Sequence, residues 1–364
     1  MSQLQYYLAL VAGGLCAAAF ALSFAAPTET ALLLKAFLAL GTLTLLRFFL
    51  PLGFWADGAL AVLGAVAVLT GLAALAPVPS FFWLALIAAW LFAWLFVERL
   101  ASAIASRQAG QGFGMLIPLV FGMAILVGWE VITRGAEVPR VILPPPSQIW
   151  ARLLASLPTL WADFQQTFLK AVLAGYVMGC GSGFIVAILV DRSPFLKAGL
   201  LPIGNFVSAL PIIGIAPIMV MWFGFDWQSK AAVVVAMTFF PMLVNTVSGL
   251  NAASAIERDL MRTYAASYWQ TLLKLRLPAA APFIFNALKI NSTLALIGAI
   301  VAEFFGTPIV GMGFRISTEV GRLNIDLVWA EIAMAAVAGS AFYGVIALIE
   351  RAITFWHPSM RGRT

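Results

Sequence analysis

A catalytic or metal centre needs several His, Cys, Asp or Glu side chains in one place, and this chain has little to build one from. Its one histidine, His357, stands alone near the end, so no metal site is expected. Cys16 and Cys180 both fall in apolar runs and read as packing residues rather than as a disulfide or metal pair. No Gly-rich loop ending in Lys and Ser or Thr, the pattern that cradles nucleotide phosphates, occurs anywhere. Polar chemistry gathers instead between Asn251 and Pro282, where six of the 36 charged residues lie: Glu257, Arg258, Asp259, Arg262, Lys274 and Arg276. Each would cost about 2.5–3.5 kcal/mol at mid-depth in a bilayer. The stretch must therefore face water or another protein, and its chemistry is that of a binding surface.

A second set of polar groups is scattered through apolar runs. Asn245, Asn286 and Asn291 offer amides that can bond across helices or touch a solute. Glu303 ends the run 294–302, where a carboxylate either faces a cavity or a docking partner, or reaches the lipid headgroups. Met219 and Trp222 follow a proline-rich bend and are candidates to line or gate a path, although Trp222 also suits the aromatic belt.

The elements that must position these groups follow from composition. Of 364 residues, 63% are apolar and 10% charged, too little polar material to cover a soluble surface of that size. The fold class is an all-α polytopic membrane protein. Ten apolar runs come near the ~20 residues a helix needs to cross: 6–24, 32–50, 58–76, 81–97, 115–132, 168–190, 200–223, 231–249, 282–305 and 328–349. The run 200–223 holds Pro202, Pro211 and Pro217, so an unbroken helix is not expected there. Small residues from Ala174 to Gly183 predict close helix packing. After Pro144, Pro145 and Pro146, Ser147 can cap a short helix over 148–157 lying along the membrane surface. The arginine-bearing loop 98–112 reads as a boundary, leaving an accessory four-helix region at 1–110, a six-helix core at 111–356 and a tail at 357–364. With ten spans, both termini fall on the side that carries most of the Lys and Arg, the cytoplasmic side. The net charge of +6 is spread over short loops, without a basic patch interleaved with aromatics, which argues against nucleic acid as a partner.

Within the charged stretch, Ile256, Leu260 and Tyr264 recur at helical spacing, and Asn251 or Ser254 can cap the helix that carries them. Ala265, Ala266 and Ser267 form a corner before a second helix, 268–275, which Pro278 closes. Two short helices at a small-residue corner make a knob fitted to a partner's groove.

The spacing from Asp259 to Pro278 resembles the cytoplasmic coupling motif of the membrane subunits of bacterial ATP-binding-cassette importers. That pattern is Glu-Ala-Ala, three residues, Gly, nine residues, then Ile, any residue, Leu-Pro. Asp259, Leu260 and Met261 stand at its first three positions, Ala265 at the glycine, and Leu275, Leu277 and Pro278 at its end. Alanine serves at the corner in helical geometry but is strained if the corner needs a positive φ. The segments Ala216–Gly224, Phe239–Thr246 and Ala265–Thr271 are similar to the permease branch for nitrate, sulfonates and taurine, which includes members for thiamine pyrimidine precursors and riboflavin. Met261, Arg262, Thr263 and Tyr264 incline the reading toward the vitamin members, with the sulfonate, taurine or nitrate members as the alternative.

The resemblance implies a homodimer of permeases in a bacterial inner membrane. A separate ATPase dimer would dock on the coupling motif 257–278, an extracytoplasmic solute-binding protein would deliver ligand, and lipid would surround the whole. No cofactor is expected on this chain, ATP being bound by the partner subunit. The implied coupling residues are Glu257, Asp259, Tyr264, Ala265, Ser267, Trp269, Gln270 and Pro278. A secondary transporter would instead need paired polar groups in two related halves, and a membrane enzyme converging catalytic groups; neither pattern is present.

Overall fold

The computed structural model describes residues 2–24, 32–48, 53–75, 78–107, 109–208, 211–306 and 309–356. His357 and the tail 357–364 lie outside them. The described chain is helical throughout and packs as two compact units, 1–150 and 151–364.

In the first unit, α1 (Gln3–Ser23), α2 (Leu32–Thr42), α3 (Phe54–Ala74), α4 (Ser80–Ala105) and α5 (Leu116–Gly135) are nearly all apolar, so which face is buried is set by shape rather than by amphipathicity. The core is aromatic: Phe37, Phe82 and Phe92 are fully buried. Small residues let the helices meet; a Cβ on Gly64 of α3 would lie 2.8 Å from Phe37 and 2.9 Å from Ala89. Polar groups inside are paired, with Arg99 of α4 donating to Asp57 of α3 and Gln5 Nε2 donating to Ser102 Oγ at 2.9 Å. The short helix α6 (Pro146–Ala155) carries the division between the units. Ser147 is not its cap. It lies inside the first turn, where its N–H and hydroxyl donate to Glu130 at 2.8 and 2.6 Å, so a carboxylate from α5 satisfies this helix start instead.

In the second unit, α7 (Leu157–Phe164) passes through a wide π-helical stretch, Gln165–Val172, into α8 (Leu173–Arg192). Then follow α9 (Pro194–Ser208), α10 (Ile212–Phe223), α11 (Trp227–Leu250), α12 (Ala255–Thr263), α13 (Tyr268–Thr271), α14 (Leu277–Glu303), α15 (Met312–Gly321) and α16 (Ile325–Ile353). The centre is α8, α11 and α14. Gly175, Gly179 and Gly183 form one stripe on α8 against the α11 backbone, where added Cβ atoms would lie 2.7 Å from Ala231 O, 3.0 Å from Val235 Cα and 2.5 Å from Phe239 O. The small-residue run therefore does the close packing expected of it.

The ten expected spans are not all present as long helices among the described residues. Among the described residues, eight helices are long and apolar enough to cross a membrane: 3–23, 54–74, 80–105, 112–135, 157–192, 227–250, 268–303 and 325–353. The run at 32–50 gives the 11-residue α2, which tightens into a 3₁₀ stretch at Leu43–Phe48 and makes a shorter apolar helix than those eight. The run at 200–223 breaks at Pro211, whose extended backbone starts α10. The missing proline N–H makes a helix start the cheapest place for it.

Pro278 does not end the second short helix of the knob either. From Tyr268 the chain is helical without interruption to Glu303, through a π-turn at Leu272–Arg276 in which Leu277 N–H bonds Leu272 O. A proline ring clashes with the carbonyl four residues back, and a turn wider by one residue relieves that clash while keeping the helix continuous. The knob is thus the free end of a membrane helix.

Candidate functional site

The knob is built by two capping boxes in series. Ser254 N–H donates to Glu257 Oε2 at 2.8 Å and Glu257 N–H donates to Ser254 Oγ at 3.3 Å, starting α12. Ser267 N–H donates to Gln270 Oε1 at 2.8 Å and Gln270 N–H to Ser267 Oγ at 3.3 Å, starting α13. The N–H of Ser254, and next its hydroxyl, hold the Glu257 carboxyl below the usual carboxylate range. Between the boxes the chain turns at Ala265 with φ 49°, the left-handed region, closed by Ala266 N–H donating to Met261 O at 3.0 Å. The corner does need a positive φ, so the glycine of the motif has a physical reason and Ala265 sits there under strain.

This construction sorts the expected coupling residues by what they do. Glu257, Ser267 and Gln270 shape the backbone, Ala265 makes the corner, and Pro278 lies on the helix beneath. Asp259 is exposed and pairs loosely with Arg262 at 3.4 Å, a surface pair of little energetic weight. Tyr264 and Trp269 are 77% and 52% exposed, and with Ile256 and Leu260 they leave a large apolar surface in water.

What fixes the knob to the bundle escaped the sequence reading. Asp191, at the end of α8, accepts from Arg276 Nη1 and Nη2 at 2.7 and 2.6 Å and from the Tyr268 hydroxyl at 3.0 Å. Arg276 Nε also donates to Leu250 O at 2.9 Å, at the end of α11. Arg192 lies over the Tyr268 ring at 5.7 Å. One half-buried guanidinium thus joins the ends of α8, α11 and the root of α14.

At the far end of α14, Glu303 is 2% exposed and faces neither solvent nor headgroups. It accepts from Thr167 Oγ1 and from Gly313 N–H, both at 2.7 Å. Thr167 in turn accepts from Met312 N–H at 2.8 Å, while Asp163 accepts from Gly311 N–H at 2.6 Å and from Arg315 Nε at 2.8 Å. The first turn of α15 is therefore held by two buried carboxylates and a hydroxyl, with the sign that a helix N-terminus favours. A Cβ on Gly313 would come 2.1 Å from Ile300 O, so α15 meets α14 backbone to backbone. Nearby, Lys230 donates to Phe225 O at 2.6 Å and to Gly306 O. Gln166 donates to Asp226 at 2.7 Å and accepts from Lys170 at 2.9 Å, beside a pocket of about 590 Å³ that Phe225 also lines. Gln166, and next the Trp227 N–H, hold the Asp226 carboxyl below its ordinary range.

The remaining path candidates lie in different surroundings. Asn291 is fully buried and donates to Thr238 O at 2.8 Å and to Cys180 Sγ at 3.2 Å, joining α14 to α11 and α8. Asn245 donates to Pro241 O on its own helix at 2.8 Å. Asn286 and Trp222 are exposed, and Met219 packs against the buried cluster of Ala216, Val233 and Ala302. Asp163, Thr167 and Arg315 were not singled out from the sequence; an acidic residue and a threonine four positions apart on a helix carry no signal until α15 is brought against them. Among the described residues, no three His, Cys, Asp or Glu are grouped as a metal ion would need.

A family model described as "Binding-protein-dependent transport system inner membrane component" matches residues 175–355, which hold both the knob and most of the buried network. A Haemophilus influenzae protein named as an ABC transporter permease is 31% identical over 66% of this chain and 97% of its own length. A Bacillus subtilis protein named for transport of aliphatic sulfonates is 28% identical over 72% of this chain and 95% of its own. A riboflavin transport system permease of Chloroflexus aurantiacus is also 28% identical, over 72% and 98%.

Proposed function

The chain belongs to the family of binding-protein-dependent transport system inner membrane components, and from that premise we propose how it couples and what it carries. Membership makes it a transport permease rather than an enzyme, the membrane subunit of an ATP-driven importer of a small polar solute. ATP hydrolysis on a separate subunit, a paired permease and a delivering solute-binding protein are the architecture this family membership implies.

Our reading of coupling is that the partner ATPase grips α12 and the corner after it. The observation that carries this is the exposed apolar group Ile256, Leu260, Tyr264 and Trp269 on a surface capped twice and tied to the bundle by Arg276. Aromatic anchors on a rigid support are what a docking hot spot requires. Closure of two ATPases would push the knob, and the continuous helix from Tyr268 to Glu303 would carry that push through the membrane to the network holding α15. In this arrangement the knob and both termini are cytoplasmic, residues 1–110 are an accessory region, and 111–356 form the core of a homodimer.

For the solute, an organic sulfonate, taurine or nitrate is preferred over a vitamin precursor. The vitamin reading rested on Met261 to Tyr264, and those residues lie on or beside the exposed helix α12, where they cannot contact a solute inside the membrane. Support for this choice comes from the relative named for aliphatic sulfonates. The test is uptake by the permease reconstituted with its ATPase and binding protein. Trp269→Asp is expected to abolish ATP-dependent uptake and release the ATPase from the purified complex, while the permease remains folded. A Trp269→Asp complex that stays assembled and transports normally would overturn the docking assignment.

A further inference from the structure

Beside the carboxylates that hold α15 lies another acidic residue, which the transport reading leaves unused. On α16, Leu327, Ala330, Glu331 and Met334 recur at helical spacing along one face. Leu327 and Ala330 are buried against Leu160 of α7, and Met334 packs beside them. Glu331 lies on that same face at 0% exposure.

A carboxylate taken out of water needs donors, and Glu331 has none. Among the described residues, neither its Oε1 nor its Oε2 has a hydrogen-bond partner. What stands within hydrogen-bond reach is a second carboxyl, Asp163 of α7. The cation that acts on Glu331, Arg315 of α15, is already committed to that neighbour: its Nε donates to Asp163 Oδ2 at 2.8 Å and its Nη2 to Asp163 Oδ1 at 3.4 Å. Gly311 N–H also donates to Asp163, at 2.6 Å. From α14 the facing charge is Glu303, which Thr167 and the Gly313 N–H hold. Further off, Glu319 of α15 is bonded to Arg322 and Asn324, and Lys230 of α11 donates to the carbonyls of Phe225 and Gly306. Asp326, on α16 itself, stands opposite Arg152 of α6 at 3.8 Å.

We infer that Glu331 is a proton-binding site, held as the neutral acid and donating its O–H to Asp163, which keeps its own charge for Arg315 and the start of α15. Two buried carboxyls in contact do not both ionise, so the pair holds a proton. Its place follows from the donors. Asp163 receives N–H groups from Gly311 and Arg315 that stabilise an anion, whereas Glu331 receives none. The proton turns a repulsive contact into a hydrogen bond and leaves Asp163 free to seat α15. Glu331 is therefore a positioning residue that acts on α15 through Asp163. An unfolded chain releases this proton above the ordinary carboxylate range while the folded chain retains it, so the fold loses stability as pH rises through that window.

The test uses the full-length wild-type chain beside Glu331→Gln, whose amide N–H can take the place of the acid O–H but cannot ionise, and Glu331→Leu, which carries neither proton nor charge. Infrared spectra in nanodiscs at neutral pH should show the carbonyl band of a protonated carboxylic acid in the wild type, and both substitutions should remove it. In detergent, Glu331→Gln should gain on the wild type in melting temperature as pH rises from about 5.5 to about 8, by at least roughly 2–4 °C. A band that both substitutions leave unchanged would show an ionised Glu331 and overturn the assignment. So would a Glu331→Gln chain that melts below the wild type by the same margin at every pH, the mark of a salt link to Arg315. A wild-type chain that lacks the band and is stabilised by sodium but not by choline would overturn it as well, because the carboxyl pair would then hold a metal cation.

Discussion

Replacing Arg276 by Met tests whether the knob is mechanically joined to the bundle. The side chain keeps its length and apolar stem but loses every hydrogen bond. Asp191, whose side chain is 4% exposed, would then keep only the Tyr268 hydroxyl where it had a bidentate guanidinium as well, and Leu250 O would lose its donor. Leaving one member of a buried ion pair without its partner costs about 3–5 kcal/mol. Asp191→Asn should cost less, about 1–3 kcal/mol, because an amide can still accept from one Arg276 nitrogen. The double substitution Asp191→Leu with Arg276→Met removes both charges and should be less damaging than Arg276→Met alone, a coupling of roughly 2–3 kcal/mol. Thermal stability of the detergent-purified chain reads the energetic part. The mechanical part is read in the reconstituted importer as the ratio of solute moved to ATP hydrolysed. If the clamp transmits force, the double substitution regains stability while that ratio stays low. Additive single effects, or a ratio restored together with stability, would refute the reasoning.

Three further outcomes follow from the same geometry. Ala265→Gly removes a left-handed strain worth about 1–2 kcal/mol, and the amides of 264–267 should exchange roughly fivefold more slowly or better, measured by hydrogen exchange in nanodiscs; faster exchange would mean the corner is not strained. Gly313→Ala places a carbon where Ile300 O stands and should destabilise by about 1–3 kcal/mol, read as a lowered melting temperature with α15 becoming open to protease. The cap of α12 is pH-dependent: the Glu257 carboxyl is depressed in the folded chain, so its contribution is present above the ordinary carboxylate range and is lost as pH falls through the depressed value. Protection of the Ser254 amide should therefore persist below pH 4.5 and fall only in stronger acid, and its loss near neutral pH would rule out the carboxylate as the cap.

The importer class was legible in the chain because it rests on local rules. Composition alone required a membrane, and the spacing from Asp259 to Pro278 pointed to the coupling motif, because capping boxes and helix corners are written in residues three to ten apart. Even the strain at Ala265 was foreseeable as a condition, since a glycine position filled by alanine matters only when φ is positive. Hydropathy sums apolarity but is blind to how a helix is built, so it did not show that α2 gives way to a 3₁₀ stretch after 11 residues or that Pro211 divides 200–223. Tertiary structure alone decided the roles of the buried charges. Asp191 finds Arg276 across 85 positions, and Thr167 finds Glu303 across 136. Such pairs leave no periodic trace, because a buried charge needs a partner in space and nothing in its neighbours along the chain says which one. Composition placed the chain in a membrane and local spacing shaped the knob, whereas only packing showed that Arg276 roots it and that Glu303, a candidate for the solute path, holds a helix in place.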